Sequence, residues 1–177
     1  MRRAFGLMCL AVLLTGCSGA ADPLHSGPAG ASESIPALVG QPRTAVVLYV
    51  QPRPGDTLEM LGAEPIGDLN GANIRFLLSR PVHHANGDVV IGDAVETLTG
   101  ARVRSSAAPG ASTGPDDQVG IVAEITATKA GRFQLTSVLL RYRVNGGDEQ
   151  VREHIDTTFV VCAGDALPTT CTPDITE

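Results

Sequence analysis

From Val119 to Thr128 the chain alternates without a break: Val119, Ile121, Ala123, Ile125 and Ala127 fall on one side, and Val122, Glu124, Thr126 and Thr128 on the other. Successive side chains of an extended backbone point to opposite faces, whereas a helix groups residues three and four apart. Five repeats of period two therefore dictate a strand with a buried face. No stretch shows apolar residues at 3, 4 and 7 spacing with capping residues, so helix is expected to be minor.

The same period recurs along the chain. The apolar run Thr44–Val50 closes at Pro52 and Pro54, and a second strand is expected at Asp56–Leu61 after the Pro54-Gly55 turn. Ile74, Phe76 and Leu78 alternate with Arg75, Leu77 and Ser79; Val89, Ile91 and Val95 continue after the Asn86-Gly87-Asp88 turn. Phe133 and Leu135 begin another alternation, but the apolar positions then change parity to Val138, Leu140, Tyr142 and Val144. A one-residue slip turns every side chain over, so a β-bulge or a crossing between sheets is predicted near Thr136-Ser137. Asn145-Gly146-Gly147-Asp148 tolerates positive φ and predicts a tight turn, with Val151, Ile155, Phe159 and Val161 as the inward side of the return strand. Seven or eight short antiparallel strands in about 130 residues predict an all-β, two-sheet sandwich with minimal helix.

Lys129-Ala-Gly-Arg-Phe-Gln-Leu135, followed by Val138–Tyr142, resembles the entry to a late strand of immunoglobulin-like domains, where a glycine precedes an aromatic at a corner. Phe133 lacks the hydroxyl of a tyrosine corner, and no cysteine follows two residues later. The resemblance implies an Ig-like sandwich and carries no activity.

The amino-terminal segment specifies a location. Arg2 and Arg3 precede an apolar run from Ala4 to Leu14, about half the length that spans a bilayer. It ends in Leu14-Thr15-Gly16-Cys17, which resembles the lipobox of bacterial lipoproteins. The resemblance implies that residues 1–16 are a signal peptide and that the Cys17 thiol is alkylated with diacylglycerol. With a further acyl chain such as palmitate, the attachment to the cell membrane is stable. With Pro54-Gly55-Asp56 after its first strand, the whole chain also resembles uncharacterised bacterial lipoproteins with a single Ig-like domain.

Residues 17–43 are rich in Ser, Gly, Ala and Pro and read as a disordered tether with a reach of about 28 Å. The sandwich is expected over 44–162, and 163–177 form a tail. Eight residues separate Cys162 from Cys171, and in an exported chain such a pair predicts a local disulfide that pins the tail Ala163–Thr172 to the sandwich edge. The loop-closure model assigns a ring of this size about 2.5–3 kcal/mol.

Charge and composition narrow the partners. The formal charge is −6, and loss of Arg2 and Arg3 with the signal makes it −8, which disfavours nucleic acid. Trp is absent and aromatics are 3%, so a carbohydrate-stacking platform is poorly supplied.

Several patterns raise chemistry and fall short of it. Gly110-Ala-Ser112-Thr-Gly114 matches the serine elbow of hydrolases, yet Pro109 and Pro115 flank it and no helical pattern follows. His83 and His84 point to opposite sides of an extended chain, so they do not readily share a metal with His154. Asp116, Asp117 and repeated Gly-Asp pairs lack the spacing of a calcium loop and suit turns. No cofactor or metal is demanded and no catalytic residue is assigned. The expectation is a non-enzymatic, extracytoplasmic binding or structural module of the cell envelope. It is anchored at Cys17, with a protein or envelope partner on a sheet edge or loops and with Arg141, Arg143 and Arg152 on the solvent side of the hairpin. A small envelope hydrolase or a metal-binding protein is the alternative.

Overall fold

The computed structural model describes residues 24–25, 31–83, 89–90, 95–105, 107, 118–154 and 157–171. In these, the chain is all-β. Thirteen strand segments occur among the described residues: β1 (Leu24–His25), β2 (Ala31–Leu38), β3 (Pro42–Val50), β4 (Thr57–Asp68), β5 (Ala72–Ser79), β6 (Val82–His83), β7 (Val89–Val90), β8 (Val95–Thr97), β9 (Arg102–Arg104), β10 (Val119–Ala127), β11 (Gly131–Val144), β12 (Glu149–His154) and β13 (Thr157–Gly164). Five of these are only two or three residues long, so the eight longer ones match the expected number, although β2 was not among the expected strands.

The strands form two principal sheets. One runs β1-β3-β10-β5-β8; the other runs β2-β13-β11-β4-β9, with β12 also paired to β11. All pairings are antiparallel except β2 with β13, which is parallel. Among the described residues the short β6 and β7 pair only with each other. The Asn86-Gly87-Asp88 turn, Ile91 and Ile155 lie outside the described residues.

The two inner faces share one core, and the alternation of β10 builds half of it. Val119, Ile121, Ala123, Ile125 and Ala127 all join that core. Opposite them stand Phe133, Leu135, Val138, Leu140 and Tyr142 of β11, with Phe159 and Val161 of β13. Leu140 and Tyr142 have no exposed surface. Burial of a Leu or Phe side chain contributes about 1.5–3 kcal/mol, so these positions hold the sandwich together.

The parity change in β11 is a bulge. Against β4, Leu135 faces Gly67 and Ser137 faces Ile66, which leaves Thr136 without a register partner. The Thr136 hydroxyl donates to the Ile66 carbonyl at 3.0 Å and stabilises the irregularity. Across the next ladder the register also changes: Val138 faces His154, but Leu135 faces Phe159.

That second change corrects the reading of the return strand. Val151 was expected to point inward with Phe159 and Val161; it faces Arg141 on the outer side and is 50% exposed. A strand paired to a bulged neighbour must change face at the same level, so one parity cannot run through β12 and β13. The turn itself is as expected, with Asn145 at φ 52° and Gly146 at φ 71°.

Strand occurs within the segment expected to be a disordered tether: Leu24–His25 pairs with β3. Ala31–Leu38 is also strand, and β2 binds β13 from Thr157↔Ala31 to Gly164↔Leu38. A strand added to an existing edge gains its hydrogen bonds from the neighbour, so it needs few large apolar residues of its own. Ala37 is nonetheless buried, and Ile35 packs against the core.

Candidate interaction surface

Cys162 and Cys171 form the expected disulfide, with sulfurs 2.05 Å apart and Cα atoms 5.7 Å apart. Val161 and Ala163 enter the core, so strand alternation turns Cys162 to the outer side of β13. The Cys171 sulfur lies 3.7 Å from the Val160 carbonyl oxygen, which places the far end of the tail against β13. Val160, also outward by parity, is 1% exposed.

The outer face of the six-stranded sheet carries rows of charge set by register. Glu64–Leu139–Glu153, Gly62–Arg141–Val151 and Glu59–Arg143–Glu149 lie side by side across β4, β11 and β12. The Arg141 Nε donates to Glu149 Oε1 at 2.7 Å. This hydrogen bond holds the Glu149 carboxyl below the usual carboxylate range and raises the guanidinium of Arg141. Arg141 also lies 4.0 Å from Glu64, and Arg143 lies 3.9 Å from Glu59. Ser137, buried at the bulge, donates to Glu153 at 2.7 Å.

The three arginines expected together separate. Arg141 and Arg143 share the outer face, but Arg152 faces Leu140, an inward residue, and so belongs to the other side of the hairpin. Its exposure comes from the position of β12 at the rim, where Glu149 to Glu153 are all exposed. Among the described residues β12 pairs only with β11. No other described strand pairs the outer edge of β12, whereas the equivalent edge of β13 is filled by β2.

Where β4, β9 and the β11–β12 turn meet, the outer face dips into a pocket of about 350 Å³ lined by Thr57, Glu59, Arg102, Arg104, Asn145 and Gly146. The Asn145 side chain fixes one wall: its Oδ1 accepts from the Thr57 N–H at 2.8 Å, and its Nδ2 donates to Asp56 at 2.7 Å. Arg102 and Arg104 were not singled out from the sequence. The alternation Arg102-Val103-Arg104 with an apolar centre was the available signal.

Of the other candidates, Cys17, His84, Ser112, Asp116 and Asp117 lie outside the described residues. His83 is in β6 and His154 ends β12 opposite Val138, so the two belong to different sheets. Among the described residues no three potential ligands cluster in a way that would hold a metal ion. No protein-family model matches the chain, and no curated protein is similar to it.

Proposed function

We propose that the chain is an exported, lipid-anchored and non-enzymatic binding module of the cell envelope, which takes an extended segment of a partner protein along β12. Leu14-Thr15-Gly16-Cys17 supports the anchor, and the Cys162–Cys171 disulfide suits an oxidising compartment outside the cytoplasm. The observation that carries the binding reading is the outer edge of β12, six residues long, which no other strand among the described residues pairs. Unpaired N–H and C=O groups on such an edge accept a partner strand, and flanking side chains select it. Glu149, Arg152 and Glu153 make the selection one of charge pattern rather than of apolar fit.

A photo-crosslinking amino acid at Val151 in intact cells tests the proposal. A discrete adduct in the membrane fraction is expected from this position and none from Arg75, on the other sheet. If Val151 yields nothing above a tether-only control, no partner uses this edge. The anchor is tested separately: Cys17→Ala releases the mature chain from membranes if the thiol carries the lipid, and leaves its distribution unchanged if it does not.

A further inference from the structure

The sign of the charge reverses around the pocket at the β4–β9 end. Val103 is 1% exposed and enters the core, so its neighbours Arg102 and Arg104 both project outward, about 7 Å apart along the strand. Register sets Glu59 between two arginines: it faces Arg102 on β9 and Arg143 on β11. Its carboxylate is 3.6 Å from Arg102 and 3.9 Å from Arg143, both longer than a good hydrogen bond. Arg104 uses its Nε on the Thr57 hydroxyl at 3.1 Å, a contact that neutralises no charge. Asp56, the next carboxylate, accepts from the Asn145 amide, a contact that likewise leaves its charge in place. Two guanidinium groups and one loosely held carboxylate therefore line the pocket, in a chain whose formal charge is −6.

The scaffold around them is fixed. Arg80 donates to the Arg102 carbonyl at 3.1 Å and pairs with Glu96 at 2.8 Å, which ties β9 to the neighbouring sheet. The pocket's volume of about 350 Å³ lies at the lower end of the range for small-molecule sites.

We infer that this pocket binds a small organic anion, whose carboxylate or phosphate oxygens bridge Arg102 and Arg104. A guanidinium presents paired N–H donors at the spacing of two such oxygens, and two of them side by side clamp one oxyanion. Glu59 limits the site to ligands small enough to leave it paired with Arg143. The inference concerns the pocket alone and stands whether or not a partner strand docks on β12.

The test is calorimetric titration of the purified mature chain, in detergent, with citrate and with glycerol phosphate separately. At least one binds the wild type; Arg102→Gln with Arg104→Gln weakens it about tenfold or more, and about 0.5 M salt weakens it as well. Arg75→Gln, on the other sheet, leaves affinity unchanged. The double Lys variant, which keeps charge but loses the forks, falls between the two and guards against a folding defect in the Gln pair. Binding of neither anion below about 10 mM overturns the inference, as does equal affinity in the wild type and the Gln pair.

Discussion

At Thr136 one residue of β11 stands without a register partner against β4, and the two sides of this irregularity are closed by specific groups. Thr136 supplies its hydroxyl to the Ile66 carbonyl. Gly67, opposite Leu135, supplies an absence: a Cβ built there would meet the Gln134 carbonyl oxygen and carbon, and its φ is 151°. Neither atom is a flexible side-chain end, so the backbone itself would have to move. Gly67→Ala is expected to destabilise the fold by about 2–3 kcal/mol, measured by urea unfolding. Gly100→Ala is the comparison, because nothing lies within 4 Å of its Cβ position. Its backbone has φ 84°, so it reports the conformational penalty without a steric one. If the two variants lose equal stability, close approach at Gly67 is not what selects glycine.

The bulge lets a single 14-residue strand serve neighbours at two levels: β13 over Gly131–Leu135 and β12 over Val138–Arg143. β13 is covered by β2, whereas no described strand covers the outer edge of β12. Two copies of β12 related by a two-fold axis pair with either Val151 or Arg152 on the axis. The first register sets Glu149 against Glu153, and the second sets Arg152 against itself. Like charges directly opposite destabilise a ladder by up to about 1 kcal/mol per pair, and charged edges deter association. The wild-type chain is therefore expected not to self-associate through β12, while Arg152→Val opens the second register. Sedimentation at increasing concentration checks this: mass should rise for the variant alone, and a variant that stays as the wild type shows that charge does not guard the edge.

Across the whole molecule, an early strand and the last strand of the described residues meet in the parallel ladder of β2 and β13, and the disulfide closes the outer side of the latter. A chain begun at Ala31 is expected to melt within about 2 °C of one begun at Ser18. One begun at Pro42 lacks β2 and bares the β13 edge, and its melting point should drop by about 4 °C or more, with aggregation. Equal melting points for all three would mean that β2 contributes nothing to stability, and the longer tether expected from composition would describe the folded molecule better.

Local pattern alone determined the strand class and the facing of β10, the turn at Asn145-Gly146, the irregularity at Thr136-Ser137 and the pairing of Cys162 with Cys171. Each rests on residues close together in the chain: alternation, tolerance of positive φ, a change of parity, a short thiol spacing. Tertiary structure decided what depends on a partner strand. It made Ala31–Leu38 a strand by offering β13, turned Val151 outward and Arg152 away from Arg141 through the register with β11, and brought Arg102, Arg104 and Glu59 together across β9 and β4. A strand's own sequence encodes its two faces, but which face is covered, and whose charges stand beside its own, is set by the ladder it joins.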